Sequence, residues 1–199
     1  TRAAGFREKQ VRFPLRVPED ALTEVRTFLE SIRGDGPVVV MNMGASKREK
    51  CWQATSFARL AELVRRETGG VSVFSWGSDW EKEMAEEAAR QSGGAGVVSF
   101  RTTLFTLGAL IQLCDAYVGA DTGPTHLAAA LGTPLVALFG VTNPRRVAPY
   151  GQEASLISRY TGPVDHVKVA AADASAMASI TPEEVYERLR PLLGRERSR

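Results

Sequence analysis

The chain has few of the residues that build metal centres and disulfide frameworks. It contains two cysteines, Cys51 and Cys114, and two histidines among its 199 residues. Two cysteines cannot form a disulfide framework, no Cys-x-x-Cys or Cys/His cluster favours zinc, and a three-histidine metal site is excluded. A reducing, cytoplasmic compartment fits this composition best.

Several motifs of nucleotide and hydrolase chemistry are also missing. The sequence has no GxxxxGK[ST] phosphate-binding loop, no Asp-x-Asp pair and no GxSxG turn that would present a catalytic serine. Its Gly-x-Gly at Gly34 and Gly36 precedes the first predicted strand, whereas a dinucleotide-binding GxGxxG follows one. These absences argue against P-loop hydrolysis, a serine-hydrolase triad and a metal-chelated diphosphate.

Neither charge nor hydrophobicity is one-sided. There are 25 Lys and Arg against 23 Asp and Glu, a net charge of +2, which disfavours non-specific nucleic-acid binding. The longest mostly apolar stretch, Leu127 to Val141, is interrupted by Gly132, Thr133 and Pro134, so we expect no membrane span. The length and the 44% hydrophobic content indicate one globular domain with a substantial core.

Short apolar runs alternate with helical patterns along the chain, which predicts an α/β fold. Residues 1–17 are predicted to be a lead-in or linker, residues 18–199 one domain, and residues 141–153 a loop. We predict strands at 38–41, 71–74, 97–98, 116–119, 134–139 and 155–157, and helices around 18–32, 57–64, 81–91, 104–113, 125–131 and 181–193. Thr181 and Glu184 are predicted to form a capping box. This alternation is typical of a doubly wound parallel sheet, in which ligands bind beyond the carboxyl ends of the strands.

Two of the predicted strand-end loops carry polar residues that suit a nucleotide. Residues 42–52 offer small residues, the Ser46 hydroxyl and the cations Lys47, Arg48 and Lys50, which suit a diphosphate. A solvated loop with Trp52 packed under the next helix is an equal alternative. In residues 76–81, an acidic residue could accept hydrogen bonds from a ribose, although a carboxylate in the first turn of a helix also stabilises the helix dipole.

The third strand-end loop, residues 119–132, carries most weight. A strand runs into a Thr-Gly turn, Pro124 occupies a first helical position, and a helix of small residues follows. Free backbone N–H groups and the helix dipole would make a phosphate seat there. His126 could donate to a phosphate oxygen, and Asp121 could accept from a sugar hydroxyl or hold the turn; the alternative is a structural cap with a packed histidine.

The same stretch resembles a known enzyme family. The run DTGPTHLAAALGTP from Asp121, continued by VALFG from Val136, by Asn143-Pro144 and by Pro149-Tyr150-Gly151, resembles the heptosyltransferases, glycosyltransferase family 9. The loop from Gly44 to Trp52 and the segment from Ile180 to Val185 match the family pattern more loosely. Cys51 and Val141 depart from it, where a basic or polar residue and a proline are commoner.

The resemblance implies a Rossmann-like doubly wound domain, the C-terminal, donor-binding half of a GT-B enzyme. The acceptor-binding N-terminal domain would be missing, in keeping with a chain that starts at Thr1 rather than Met, and it would supply the general base. No catalytic residue is therefore expected on this chain. The donor-binding residues implied are Ser46 and Lys50 for the diphosphate, Glu81 for the ribose, Thr102 and Thr103 near the base, and Asp121, Thr122, Gly123 and His126 around phosphate and sugar.

The implied reaction is inverting, metal-independent transfer of heptose or a related sugar from an ADP-sugar to an acceptor like the lipopolysaccharide core, with no cofactor. This chain alone is expected to be inactive. A non-catalytic nucleotide-sugar-binding or interaction module remains open, whereas the Asp-Thr-Gly-Pro-x-His pattern disfavours an epimerase. Basic termini, including Arg195, Arg197 and Arg199, leave open a contact with a glycolipid acceptor at the inner membrane, although solvated termini are favoured for so short a tail.

Overall fold

A single parallel sheet organises the chain in a computed structural model, which describes residues 13–152, 155–166 and 175–194. Its six strands lie in the order β3-β2-β1-β4-β5-β6, and every neighbouring pair is parallel. The strands are β1 Val38–Asn42, β2 Val71–Ser75, β3 Gly96–Val98, β4 Ala116–Ala120, β5 Leu135–Phe139 and β6 Leu156–Ser158. The predicted doubly wound parallel sheet is confirmed.

Helices cover both faces of the sheet, which explains why the central strands are mostly apolar. The helices are α1 Glu19–Ile32, α2 Ala54–Thr68, α3 Asp79–Gln91, α4 Leu104–Leu113, α5 Gly123–Ala130, α6 Pro144–Val147, α7 Ser175–Ala178 and α8 Pro182–Leu193. One hydrophobic core packs α2, α3 and α8 against the sheet, and the other packs α1, α4 and α5 against the opposite face. Because every residue of β1, β2, β4 and β5 is buried, these strands read as nearly continuous apolar runs, interrupted by the buried polar residues Asn42, Ser72 and Ser75.

The strand order creates a crevice at the carboxyl edge of the sheet. The chain runs outward from β1 through β2 to β3 on one side, and from β4 through β5 to β6 on the other. The loops that follow β1 and β4 therefore lead away from each other, although the two strands are hydrogen-bonded neighbours, with Val39 beside Ala116. Ligands of open α/β sheets bind at such a switch point.

Several boundaries differ from the sequence predictions for local reasons. Helix α3 begins two residues early because the backbone N–H of Ser78, its N-cap, is held by Glu81. The predicted loop 141–153 contains α6, which Asn143 caps by accepting from the backbone N–H of Arg145. Only half of the expected capping box at α8 forms: the Thr181 hydroxyl accepts from the backbone N–H of Glu184, whose side chain binds Arg159 instead.

The terminal segments bear only partly on the predictions. Residues 1–12 of the expected linker, and the arginines at 195, 197 and 199 offered for a membrane contact, lie outside the described residues. Residues 13–18 lead into α1 without secondary structure, and Phe13 and Leu15 are about half exposed. Among the helices of the described part of the chain, none has the length and apolar character needed to cross a bilayer.

Gly36 is expected to be a stability-determining position. A Cβ there would overlap the backbone of Gly69 and Gly70, where the turn before β1 crosses the turn before β2. Gly36→Ala should therefore lower the free energy of unfolding by about 1–3 kcal/mol, measured by urea denaturation. Gly34→Ala is the matched control, because a Cβ at Gly34 meets nothing within 4 Å. Equal stability of the two variants would contradict this packing.

Candidate functional site

A cavity of about 670 Å³ opens at the carboxyl edge of the sheet. Four loops line it, those that follow β1, β2, β3 and β4. All eight residues predicted to bind the donor line this cavity: Ser46, Lys50, Glu81, Thr102, Asp121, Thr122, Gly123 and His126. The structure thus brings the predicted residues together, and their role in binding stays a prediction.

The loop after β1 is fixed at both ends. At its start, the buried Asn42 side chain donates to the carbonyl oxygen of Gly44 at 2.8 Å and accepts from the Ser75 hydroxyl at 3.3 Å. At its end, the Trp52 indole donates to the carbonyl oxygen of Ile180 at 2.9 Å, and the ring is almost wholly buried. The expected packing of Trp52 is confirmed. The same loop also lines the cavity, so packing of Trp52 and a place for a ligand are compatible.

Only one of the three loop cations lines the cavity. Lys50 does so, whereas the Arg48 guanidinium lies 5.3 Å from the ring centroid of Trp80 and the Lys47 ammonium lies 3.8 Å from Glu49. A 3-10 turn spans Arg48–Lys50 and points successive side chains in different directions. The expectation that all three cations would face a diphosphate is therefore wrong, because only Lys50 of the three lines the cavity.

Lys50 and Asp121 form a largely buried ion pair across the cavity floor. The Lys50 Nζ atom lies 2.8 Å from Asp121 Oδ2, and the two side chains are 16% and 12% exposed. The other Asp121 oxygen lies 3.9 Å from Nε2 of His126, whose side chain is 48% exposed. Asp121 therefore holds Lys50, which comes from the loop after β1, and lies close to His126, which follows it in its own segment after β4.

Glu81 enters the cavity from the start of α3. Its Oε2 atom accepts from the backbone N–H groups of Gly77 at 2.7 Å and Ser78 at 3.0 Å. The carboxylate packs against Gly44 so closely that a Cβ on that glycine would overlap it. One carboxylate oxygen thus caps the helix, as the dipole alternative expects, while the group as a whole stays at the cavity wall.

The amide seat at the start of α5 is narrower than the sequence predicts. Pro124 has no N–H, and the N–H groups of Thr125 and His126 donate to the carbonyl oxygen of Thr122 at 3.1 and 3.3 Å. Within the described residues, Gly123 is the one position in the first turn whose N–H has no partner. A bound phosphate could therefore receive a single amide N–H from this turn.

Gly123→Ala is expected to block this seat without weakening the fold. A Cβ at Gly123 meets nothing within 4 Å and would project into open space beside the cavity, and alanine is favoured over glycine in a helix. Alanine keeps the N–H, but its methyl group would hold a phosphate away from it, so we expect about tenfold weaker ADP binding by calorimetry, comparable to the loss of one hydrogen bond to a charged group. The melting temperature should not fall. Unchanged ADP affinity would remove Gly123 from the site.

A chain of buried hydroxyl groups supports the turn after β4. Thr125 Oγ1 donates to the carbonyl oxygen of Ala120 at 2.5 Å, and it lies 3.2 Å from the Tyr117 hydroxyl and 3.3 Å from Thr122 Oγ1. Burial raises the pKa of Tyr117 far above its ordinary value, so the phenol stays neutral. This support was not predicted because Tyr117 lies in an apolar strand, although a threonine three residues after Thr122 was a usable signal.

The α4 side of the cavity is apolar. Leu104 and Leu107 line it beside Thr102, and Leu104 is 73% exposed. Thr103 accepts from the backbone N–H of Thr106 at 3.2 Å and so caps α4. Trp76 also lines the cavity, and its indole donates to the carbonyl oxygen of Ser99. The two leucines and Trp76 were not predicted, because apolar side chains at the start of a helix or just after a strand carry no distinctive sequence signal.

Cys51, which departs from the family pattern, is a neutral thiol in the loop after β1. Its sulfur donates to the carbonyl oxygen of Lys47 at 3.5 Å, and burial raises its pKa to about 11. Because the thiolate is the reactive form, we expect alkylation by iodoacetamide at pH 8 to be roughly 100-fold slower than for an ordinary cysteine. Mass spectrometry of the modified peptide would measure the rate, and rapid labelling would contradict the raised pKa.

The described residues hold no group of three or more His, Cys, Asp and Glu side chains placed to bind a metal ion. The expectation that the site works without a metal stays a prediction. Asp121 already has Lys50 as its partner, so its carboxylate is paired without an added cation.

A family model and curated relatives point to the same family. The model of glycosyltransferase family 9 (heptosyltransferase) matches residues 3–172. The chain is 31% identical to lipooligosaccharide heptosyltransferase 2 of Haemophilus influenzae, covering 83% of this chain and 50% of that protein. It is 32% identical to lipopolysaccharide heptosyltransferase 2 of Escherichia coli K12, covering 83% and 49%. The chain therefore spans about half the length of these curated relatives.

Solved structures give the same answer for the fold. The Escherichia coli ADP-heptose lipopolysaccharide heptosyltransferase II aligns with a TM-score of 0.73 at 28% identity, covering 94% of this chain and 55% of that one. A family 9 glycosyltransferase of Veillonella parvula aligns with a TM-score of 0.76 at 24% identity, covering 94% and 54%. The second likeness shows the fold alone.

Proposed function

The chain belongs to glycosyltransferase family 9, and we propose that residues 18–199 form the domain of a heptosyltransferase that binds the nucleotide-sugar donor. The observation that carries this proposal is the cavity itself. Lys50, His126 and the unpartnered N–H of Gly123 converge on it from two loops, and Glu81 lies at its wall. A diphosphate needs such cationic and N–H donors, and a ribose hydroxyl needs such an acceptor.

ADP-heptose is the donor we propose. The Escherichia coli relative named for ADP-heptose shares 28% of its sequence with this chain over 94% of the chain. The cavity also has one charged wall and one apolar wall, formed by Leu104, Leu107 and Trp76, which suits a ligand with a diphosphate at one end and a flat base at the other. The acceptor proposed is a core-like lipopolysaccharide, bound by an N-terminal domain outside this chain.

The contribution of this chain to the reaction would be electrostatic. An acceptor hydroxyl loses its proton to a general base on the N-terminal domain and attacks the anomeric carbon, while the bond from that carbon to the diphosphate breaks and the configuration inverts. Lys50, His126 and the Gly123 N–H stabilise the negative charge that develops on the leaving diphosphate. Asp121 holds Lys50 at 2.8 Å, so this donor is in place before the ligand arrives.

A thermal-shift panel of ADP-, UDP- and GDP-sugars, each with and without EDTA, tests the proposal. Stabilisation by ADP-heptose that survives EDTA is expected, because the ion pair and the amide provide the phosphate contacts without a metal. Stabilisation by UDP- or GDP-sugars alone would show that ADP-heptose is not the donor. Loss of the thermal shift in EDTA would overturn the proposal that the site binds its ligand without a metal.

A non-catalytic nucleotide-sugar-binding module is the second candidate. The donor cavity would be the same in both cases, so binding alone does not separate them. Adding a family 9 N-terminal domain as a separate chain distinguishes the two: heptose transfer by the mixture supports the enzyme. A cytoplasmic location, with contact to the inner membrane through a glycolipid acceptor, is part of the same proposal, and co-sedimentation with anionic vesicles tests the contact.

A further inference from the structure

The hydroxyl contacts around Thr125 fix the direction of a hydrogen bond at the cavity wall. A threonine hydroxyl has one hydrogen, and that of Thr125 goes to the carbonyl oxygen of Ala120, at 2.5 Å, because a carbonyl can only accept. Thr125 Oγ1 must then accept from its other two neighbours, Tyr117 at 3.2 Å and Thr122 at 3.3 Å. The hydroxyl hydrogen of Thr122 therefore points inward, away from the cavity.

The Thr122 oxygen keeps lone-pair capacity with which it can accept a hydrogen bond. Thr122 is the N-cap residue of α5, where a threonine hydroxyl usually accepts from a backbone N–H of the first turn. Here that role is not taken, since the N–H of Thr125 donates to the Thr122 carbonyl oxygen at 3.1 Å. Thr122 lines the cavity, so its hydroxyl meets the ligand as an acceptor.

An acceptor at this position discriminates between parts of a nucleotide sugar. Phosphate oxygens are themselves acceptors and would gain nothing from the Thr122 oxygen, whereas a sugar hydroxyl can donate to it. Resting on the proposed function, we infer that Thr122 is a specificity-determining residue that accepts a hydrogen bond from a sugar hydroxyl of the donor. Thr125 is the positioning residue that sets this polarity.

Gly119 and Tyr117 support the hydrogen-bond arrangement around Thr125. A Cβ on Gly119 would lie 2.6 Å from the Tyr117 hydroxyl oxygen, so the glycine leaves room for the phenol to reach Thr125. Tyr117 is fully buried among apolar side chains, where a phenylalanine would pack equally well. Its hydroxyl donates to Thr125 Oγ1, which is consistent with Thr125 donating its own hydrogen to Ala120.

Calorimetry with three probes tests the inference: inorganic pyrophosphate, ADP and ADP-heptose, with pyrophosphate measured as a competitor. Thr122→Val should leave pyrophosphate affinity unchanged within about twofold and lower the affinity for a hydroxyl-bearing ligand by about three- to tenfold. Thr122→Ser keeps the hydroxyl and should behave as the unaltered chain. Weaker binding of both ADP and ADP-heptose would assign a ribose hydroxyl as the hydrogen-bond donor. Weaker binding of ADP-heptose alone would assign a hydroxyl of the transferred sugar.

Thr125→Val tests the positioning role. It should produce the same selective loss, and the double variant Thr122→Val, Thr125→Val should lose no more than Thr122→Val alone. An equal loss for all three probes would mean a merely structural effect and would overturn the inference. So would a Thr122→Val chain that binds every probe normally. Failure of all three probes to bind the unaltered chain would overturn the proposed function, and the inference with it.

Discussion

Lys50→Ala is expected to lower the affinity of the chain for ADP by about 10- to 100-fold, the range for losing a hydrogen bond between charged groups. The reason is twofold. The substitution removes the one loop cation that lines the cavity, and it leaves the largely buried Asp121 carboxylate without its 2.8 Å partner, where it would repel a diphosphate. Isothermal titration calorimetry measures the affinity.

Two further variants show which of these effects dominates. Lys47→Ala is the matched control, because Lys47 belongs to the same loop but is 52% exposed and does not line the cavity. Lys50→Ala combined with Asp121→Ala removes the repulsion and should recover part of the lost affinity. If Lys50→Ala binds ADP as tightly as Lys47→Ala does, the phosphate assignment of Lys50 is wrong.

The isolated chain is expected to bind ADP-heptose and to transfer no heptose. The proposed general base belongs to a domain outside this chain, and general-base catalysis alone contributes about 100- to 10,000-fold in rate. The acceptor site and its positioning effect would be absent as well. Release of ADP, followed with a coupled assay in the presence of a lipopolysaccharide-core acceptor, measures the turnover.

The same assay needs a control for a chain that is merely misfolded. A thermal shift with ADP-heptose on the same sample shows that the donor cavity is intact. Transfer by the isolated chain at a rate comparable to that of a full-length family member would contradict the proposed division of labour, and would place the general base on this chain.

The sheet and the location of the site follow from the sequence because their signals are local or periodic. Helix α4 begins at Leu104 and ends at Leu113 as predicted, since a threonine cap precedes its apolar run. The small residues of 119–132 and the strand-end rule together predicted a site beside β4, and a cavity lies there. The family resemblance rests on the same turn after β4, so it and the physical argument pointed to the same residues.

The details that failed depend on contacts between distant segments. No local pattern shows that Asp121 pairs with Lys50 and not with Lys47 or Arg48. The two residues lie in different loops, and β2 and β3 come between those loops along the chain. Glu184 was expected to close a capping box, but an arginine outside the helix offers its carboxylate a charged partner.

The pairing of β1 with β4 also has a kinetic consequence. In the chain, β2, β3 and the helices between them separate these two neighbours, so the central contact of the sheet closes a long loop. Both walls of the donor cavity depend on that closure. A folding intermediate that lacks it would have no binding site, so ADP-heptose should slow unfolding while leaving the early steps of refolding unaffected.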